Sequence, residues 1–111
     1  MRIFLIGFMG SGKTTLGKEL SKDLDLKFID LDAYIENKIG MTIIDIFNNK
    51  GEEKFRIIEK ECLIELSTEK NIVIATGGGT PCFYNNMQMI LDCGISIYLK
   101  TEIEDLLKRL E

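Results

Sequence analysis

Eight residues near the N-terminus have the types and the spacing needed to bind phosphate. Residues 7–14 read G-F-M-G-S-G-K-T, which matches the pattern G-x-x-x-x-G-K-S/T at every fixed position. Glycines let the backbone take positive φ and bring its N–H groups onto phosphate oxygens. Lys13 adds a positive charge for the β- and γ-phosphates of a nucleotide, and the Thr14 hydroxyl is a ligand for Mg²⁺. The alternative is a glycine-rich turn without a ligand, which would require a rare chance match.

The residues around this loop fit a strand, a turn and a helix. The run Arg2–Ile6 before it is short and apolar, and Leu16, Leu20 and Leu24 after it are spaced four apart. A phosphate-binding loop needs this setting, because the helix N-terminus adds its own N–H groups and positive dipole end.

Other chemistry-bearing residues follow two further predicted strands. Lys27–Asp30 is the first of these, with Asp32 just beyond it, and Asn71–Ala75 is a β-branched run that ends at the glycine-rich stretch Thr76–Pro81. Because the carboxyl ends of parallel strands meet at one edge of a sheet, we expect these groups to share a crevice with the phosphate-binding loop.

Helical patterns fill the intervals between the strands, and Ile95–Leu99 is a fourth predicted strand. The first predicted helix of these intervals runs from about Asp32 to Lys38, with Gly40 as the stop, and the next runs from a Thr42–Asp45 capping box to a break at Asn48–Gly51. Three further helices are predicted from Glu52 to about Ser67, from about Tyr84 to Asp92, and onward from Thr101. Alternating strands and helices predict an α/β fold with a doubly wound parallel sheet. We expect residues 1–111 to form a single domain.

Composition excludes several function classes. The net charge of −4 and a pI near 4.9 argue against a nucleic-acid-binding protein. No apolar run reaches the length of a membrane span and no signal-peptide pattern is present, so we expect a cytoplasmic protein. Cys62, Cys82 and Cys93 lack the spacing of a disulfide framework or a zinc site, and we expect them to be reduced and structural. A monomer is expected, since no long exposed apolar stripe is evident.

Two aspartates are candidates for metal and acceptor contacts. Asp30, at the end of a strand, is placed to hold a metal-bound water, whereas Asp32 points further out. A carboxylate that faces an acceptor hydroxyl can orient it and take its proton. The alternative for Asp32 is an ordinary helix N-cap.

Arg56 and the triple glycine are candidates for binding an anionic acceptor. Arg56 is one of only three arginines against eleven lysines, and its planar fork binds carboxylate or phosphate through two parallel hydrogen bonds. The alternative is an exposed helix arginine paired with Glu52, Glu53 or Glu59. Gly77–Gly79 offers backbone N–H groups to a small polar ligand, and its alternative is a tight turn before Pro81.

Four pieces of the chain together resemble the shikimate kinase family. They are G-F-M-G-S-G-K-T, F-I-D-L-D with Ile35-Glu36, the run I-I-D-I-F followed by Gly51-Glu52 and Phe55-Arg56, and A-T-G-G-G. The first piece is shared by many nucleotide-binding proteins, but the four in this order and spacing are specific. The resemblance implies a three-layer P-loop NTPase fold in which helices flank a central parallel sheet. It also implies transfer of the γ-phosphate of ATP to the 3-hydroxyl of shikimate, with Mg²⁺.

The same resemblance implies a role for each candidate residue. Lys13 and Asp32 would be catalytic, with Asp32 also holding the substrate in a helical segment over about residues 32–67. The other implied contacts are to ATP by Gly10, Ser11, Gly12, Lys13, Thr14, Thr15 and, more weakly matched, Arg109; to shikimate by Arg56, Gly77, Gly78 and Gly79; and to the metal by Thr14 and Asp30.

Two expectations concern the extent of the chain and the alternatives to this function. The family's mobile lid, two further arginines and its last strand and helix would lie beyond residue 111, so this stretch alone is expected to bind better than it turns over. The alternatives are another small-molecule or nucleotide kinase of the same architecture, and a nucleotide-binding module without phosphoryl transfer. A panel of acceptors separates these alternatives.

Overall fold

One parallel sheet of four strands forms the centre of the computed structural model, which describes residues 1–7 and 12–99. The strands are β1 (Arg2–Gly7), β2 (Lys27–Asp30), β3 (Ile72–Ala75) and β4 (Ile95–Leu99). They stand in the order β2-β3-β1-β4, and each neighbouring pair is parallel. The predicted strands and their parallel pairing are therefore confirmed.

Helices connect these strands. They are α1 (Lys13–Leu24), α2 (Leu31–Ile39), α3 (Ile43–Leu66) and α4 (Asn86–Cys93), with a short 3₁₀ turn at Thr80–Cys82. Within the part of the chain that the structure describes, every helix is too short or too polar to cross a lipid bilayer. The helix predicted from Thr101 lies outside the described residues.

The helix boundaries follow local chemistry. The Thr42 hydroxyl accepts a hydrogen bond from the Asp45 N–H at 3.1 Å, which confirms the predicted capping. Gly40 ends α2 in the left-handed region at φ 80°, as a glycine after a helix commonly does. Gly51 has a non-helical backbone, with φ 84° and ψ 162°, so α3 consists of two helical parts joined at a kink and the predicted break there is confirmed.

Two predicted boundaries are wrong by one or two residues. Tyr84 has φ 52°, which a helical residue does not adopt, so α4 begins only at Asn86. Asn71 has φ 57° and therefore precedes β3 instead of opening it. Asparagine tolerates this left-handed conformation better than most residues do.

Apolar side chains cover both faces of the sheet. On one face Phe4, Ile6, Ile72 and Ile74 join a cluster with buried residues of α2, α3 and α4. On the other face Ile3, Leu5 and Val73 pack with Leu20 and Phe28. Side chains alternate between the two faces along a strand, so a strand that is covered on both faces needs apolar residues at successive positions, as in β1 and β3. The sheet is therefore the middle of three layers.

The strand order creates a crevice above β1 and β3. The connection after β1 leads through α1 towards β2, whereas the connection after β3 leads through α4 to β4 on the opposite side of β1. Loops that leave neighbouring strands in opposite directions open a gap at the carboxyl ends of those strands. Of the residues predicted to do chemistry, Lys13, Thr14, Asp30, Asp32 and Gly77–Gly78 lie at this edge.

The three cysteines are free thiols, as predicted. Cys62 is buried in the larger core cluster, which fits a structural role. Cys82 is exposed, however, so its packing does not support the expected structural role.

Candidate active site

A crevice of about 360 Å³ opens at the carboxyl edge of the sheet. It is lined by Gly12, Lys13, Thr14, Thr15, Asp30, Asp32, Ala75, Thr76, Gly77 and Gly78. Three separate parts of the sequence meet there, namely the start of α1, the junction of β2 with α2, and the glycines after β3. The predicted convergence of these parts is confirmed.

Lys13 stands at the start of α1, directly after Gly12 in the left-handed region at φ 87°. Its Nζ donates a hydrogen bond to the Gly7 carbonyl oxygen at 2.6 Å. Burial lowers the pKa of Lys13, and the carboxylates of Asp32 and Asp30 oppose that shift. The cation is therefore partly withdrawn from water at the place where the phosphates of a nucleotide would add negative charge.

Asp30 joins α1 to α2 through its two carboxylate oxygens. Oδ2 accepts a hydrogen bond from the Thr14 hydroxyl at 3.2 Å, and Oδ1 accepts one from the Ala33 N–H at 3.2 Å. Asp30 is thus the N-cap of α2, and the alternative that Asp32 is the cap is wrong, because the helix begins at Leu31. A hydroxyl beside a carboxylate is a donor set of the kind that Mg²⁺ takes with phosphate oxygens and water.

Asp32 lies in the first turn of α2 and faces the crevice. Burial raises the pKa of its carboxyl group, the negative charges of Asp30 and Glu59 raise it further, and Lys13 opposes them. A carboxylate with a raised pKa is a better proton acceptor. A Cβ on Gly77 would lie 3.0 Å from Asp32 Oδ1, so only glycine leaves this carboxylate unobstructed.

Arg56 lies on the buried side of α3, not on its surface. Its Nη1 donates to both carboxylate oxygens of Glu59, at 3.1 and 3.3 Å, and its Nε lies 3.7 Å from Glu52 Oε1. The predicted glutamate partners are thus present, but the exposed-arginine alternative is wrong, since the Arg56 side chain is only 15% exposed. The Phe83 ring stacks on the guanidinium, with its centroid 3.9 Å from Cζ.

The glycines after β3 separate Asp32 from Arg56. A Cβ on Gly79 would lie 3.0 Å from Arg56 Nη2, just as one on Gly77 would meet Asp32. The tight-turn alternative is also correct, because the Thr80 N–H donates to the Gly77 carbonyl at 3.3 Å and opens the 3₁₀ turn. This backbone therefore turns the chain, and its glycines, which have no side chains, lie between the Asp32 carboxylate and the Arg56 guanidinium.

Sequence reasoning named Glu59 as a possible partner of Arg56 but missed its burial, and it missed the buried polar residues Thr80 and Asn86 behind it. Glu59 is 1% exposed and accepts a hydrogen bond from the Thr80 hydroxyl at 2.8 Å. The Asn86 side-chain amide in turn donates to the Thr80 carbonyl at 2.9 Å. One signal was available: Glu59 lies on the apolar face of α3, four residues after Phe55 and three before Cys62. Nothing in the local sequence marks Thr80 or Asn86.

Three predicted contacts lie outside the described residues, namely Gly10, Ser11 and Arg109. Among the described ones, Lys13, Thr14 and Asp32 line the crevice. Arg56 is not part of this lining; it lies beside Gly79 and lines a neighbouring cavity with Phe83. Such an arrangement suits the transfer of a phosphoryl group from a nucleotide to a small anionic alcohol, because Lys13 lies where negative charge would develop on that group and Arg56 lies where an anion of the acceptor could bind.

Comparison with known proteins shows which family the chain resembles. A family model described as shikimate kinase matches residues 9–111. A shikimate kinase of Parabacteroides distasonis is 50% identical over 110 residues, which cover 99% of this chain and 64% of the relative. One of Azobacteroides pseudotrichonymphae is 54% identical, with 98% and 65% covered. The chain thus spans somewhat less than two thirds of the length of these relatives.

Solved structures of shikimate kinases are also similar to this chain. The crystal structure of shikimate kinase from Bacteroides thetaiotaomicron is 45% identical and superposes with a TM-score of 0.90 over 99% of this chain and 62% of that one. The structure of shikimate kinase from Acinetobacter baumannii in complex with shikimate is 44% identical, with a TM-score of 0.89 over 97% and 60%. A gluconokinase from Sinorhizobium meliloti, at 16% identity and a TM-score of 0.52, shares the fold alone. From its motifs, its fold and these matches, the chain belongs to the shikimate kinase family.

Proposed function

We propose that this protein transfers the γ-phosphate of ATP to the 3-hydroxyl of shikimate, giving 3-phosphoshikimate and ADP. The observation that carries the proposal is the bare backbone of Gly77–Gly79 between Asp32 and Arg56, beside the crevice that holds Lys13 and Thr14. A polyhydroxylated ring with one carboxylate needs such a pair, a proton acceptor for its hydroxyl and a guanidinium for its anion. The relatives' names support the same substrate.

The nucleotide side of the site consists of residues at the start of α1. We assign ATP binding to Gly10, Ser11, Gly12, Lys13, Thr14 and Thr15, with Arg109 as a further contact. Lys13 draws negative charge from the transferring phosphoryl group, and backbone N–H groups at the helix N-terminus hold the phosphates in line. Catalysis of this kind depends on positioning and charge neutralisation, with no covalent intermediate on the protein.

Mg²⁺ is the metal that fits this site. The Thr14 hydroxyl would be its direct ligand, and Asp30 would hold one of its water ligands, because the two side chains are already 3.2 Å apart. When bound, the ion neutralises charge on the phosphate oxygens of the nucleotide. The chain's own contribution is to keep these two oxygens together at the end of β2.

The acceptor side combines α2, α3 and the glycines after β3. We assign shikimate binding to Asp32 and Arg56, in a substrate-binding helical segment over about residues 32–67, and to Gly77, Gly78 and Gly79 after β3. Asp32 accepts the proton of the attacking hydroxyl and aligns that oxygen with the phosphorus, and its raised pKa suits this task. Arg56 pairs with the carboxylate of the substrate and sets the orientation of the ring.

Residues 1–111 are proposed to belong to one kinase domain that acts as a cytoplasmic monomer. Light scattering coupled to gel filtration measures the oligomeric state, and a dimer mass would contradict this part of the proposal.

Phosphorus NMR of the protein as its gene encodes it tests the function. The protein is mixed with Mg-ATP and either shikimate or gluconate, and a new phosphomonoester signal is sought. A signal with shikimate alone is the expected result. A signal with gluconate alone would identify another small-molecule kinase of this fold. If neither acceptor gives a phosphomonoester signal while ATP still binds, the result would instead indicate a nucleotide-binding module without transfer.

A further inference from the structure

The guanidinium of Arg56 is held from two directions by one short segment, residues 80–83. One contact is indirect: the Thr80 hydroxyl donates to Glu59 Oε2 at 2.8 Å, and Glu59 accepts from Arg56 Nη1. The other contact is direct: the Phe83 ring lies against Arg56 with its centroid 3.9 Å from Cζ. The segment itself is anchored, because Asn86 donates to the Thr80 carbonyl at 2.9 Å.

The chain of contacts through Thr80 is deeply buried. Thr80 is 0% exposed, Glu59 is 1% exposed and Asn86 is 1% exposed. A buried carboxylate holds one orientation while its oxygens keep their donors, and the donors to Glu59 in this structure are Arg56 Nη1 and the Thr80 hydroxyl. The Thr80 hydroxyl therefore fixes the orientation of Glu59, and through it the orientation of the Arg56 fork.

The contact of Phe83 with Arg56 acts on a different part of the guanidinium. A cation over an aromatic face is attracted to the ring and is also restricted in rotation. A long arginine side chain loses much conformational freedom when it binds a ligand, and a side chain that is already restricted loses less. Restriction in the unliganded protein thus favours binding of an anion by the Nη2 edge that faces Gly79.

We propose that Thr80 and Phe83 are positioning residues for Arg56, which orient its guanidinium in advance for the carboxylate of the acceptor. This inference rests on the proposed function, since it concerns the acceptor side of the same site. Neither residue touches the substrate in this account. Both act through Arg56, so they should affect acceptor binding and leave nucleotide binding alone.

Two matched pairs of variants test the inference by measuring dissociation constants for shikimate and for Mg-ADP. Thr80→Val keeps the volume and removes the hydroxyl donor, whereas Thr80→Ser keeps the donor. Thr80→Val should weaken shikimate binding about tenfold, as expected for one lost hydrogen bond to a buried charge. Thr80→Ser should restore the affinity to within about twofold of wild type. Thr68→Val makes the same change at an exposed threonine and should alter neither constant.

The second pair is Phe83→Leu and Phe83→Tyr. Leucine removes the aromatic face and should weaken shikimate binding roughly threefold to tenfold, whereas tyrosine keeps the face and the affinity. Phe83 is only partly buried, so these variants fold even if Thr80→Val does not, and they then decide the matter.

The outcomes separate this inference from the proposed function. Wild-type protein that binds Mg-ADP but no shikimate would refute the proposed function, and the inference with it. Wild-type protein that binds both, together with variants that keep wild-type shikimate affinity, would refute only the inference. Equal losses for both ligands would indicate general loosening of the fold and would also overturn it.

Discussion

The Thr14 hydroxyl and the Asp30 carboxylate meet at 3.2 Å, so the first turn of α1 is joined to the N-terminus of α2. The other oxygen of Asp30 caps α2 through the Ala33 N–H. One carboxylate therefore serves the proposed metal site and the helix that carries Asp32. A charge-removing substitution at Asp30 can separate these two roles.

Asp30→Asn should keep the helix cap and lose the metal affinity. Asparagine caps helices about as well as aspartate, but its neutral oxygen attracts a metal-bound water less strongly. The Mg²⁺ concentration for half-maximal transfer should rise, with little change in thermal unfolding. Asp30→Ala, which also loses the cap, should cost about a further 1 kcal/mol of stability. An unchanged Mg²⁺ titration for Asp30→Asn would remove Asp30 from the metal site.

Lys13→Ala should lower the turnover number by about 10²- to 10³-fold or more, because its charge stabilises the transferring phosphoryl group. The measurement is a coupled assay for ADP release with saturating shikimate. Lys18→Ala, at an exposed lysine of the same helix, is the matched control and should retain activity. Similar losses for both variants would point to a general effect of net charge.

Arg56→Ala should raise the KM for shikimate far more than the KM for ATP. Arg56→Lys should recover little, because an ammonium group cannot form two parallel hydrogen bonds to a carboxylate. Initial rates with each substrate varied in turn give both constants. Lys54→Ala, at an exposed cation in the same helix, is the control. Equal effects on the two substrates would contradict the role assigned to Arg56.

Alanine at Gly77 and at Gly79 should produce different kinetic defects. The added Cβ would lie 3.0 Å from an Asp32 oxygen in the first case and 3.0 Å from an Arg56 nitrogen in the second. Displacement by a few tenths of an ångström should cost roughly threefold to tenfold. Gly77→Ala should therefore lower kcat, with a smaller rise in the KM for shikimate because its Cβ would also lie 3.1 Å from Thr80 Oγ1. Gly79→Ala should raise mainly the KM for shikimate. The reverse pattern would show that the two contacts have been assigned to the wrong roles.

Asp32→Asn should make the unliganded protein more stable at neutral pH while it abolishes transfer. Burial raises the pKa of Asp32 in the folded state, so the folded protein binds more protons than the unfolded chain between the ordinary carboxyl value and the raised one. The free energy of unfolding attributable to this group therefore falls as pH rises through that window. Asp32→Asn has no carboxyl group at this position, so this decrease in the free energy of unfolding does not occur in the variant.

Urea unfolding at a series of pH values compares the wild type with Asp32→Asn, and Asp23→Asn changes an exposed carboxylate of α1 as the control. The two curves for wild type and Asp32→Asn should diverge with rising pH, in favour of the variant. Parallel curves would mean that the carboxyl group of Asp32 is not destabilised by its surroundings.

Much of the fold followed from local pattern. The β2 strand, the Thr42 cap and the Gly40 stop depend on residues within a few positions of one another, and the structure confirms all three. Thr14 and Asp30, the residues proposed to hold the metal, also lie close together as predicted, because parallel strands end at one edge.

The contacts on the proposed acceptor side were harder to predict from the sequence. The burial of Arg56 depends on Phe83 and Glu59, and the choice of Asp30 over Asp32 as the cap depends on where β2 stops. Thr80 could not be identified at all, since its partner Glu59 lies on another element. Contacts between distant elements carry no local periodicity, so spacing rules do not reach them.

The order of the strands also governs what happens while the chain is being made. The partners of β1 are β3, which begins at Ile72, and β4, which begins at Ile95. On the ribosome, at about 5–20 residues per second, the run Ile3–Ile6 therefore waits several seconds before a neighbouring strand emerges. An apolar strand with unpaired N–H and C=O groups is a template for aggregation. During that interval the N–H and C=O groups of Ile3–Ile6 have no neighbouring strand to pair with, so the strand order delays completion of the sheet.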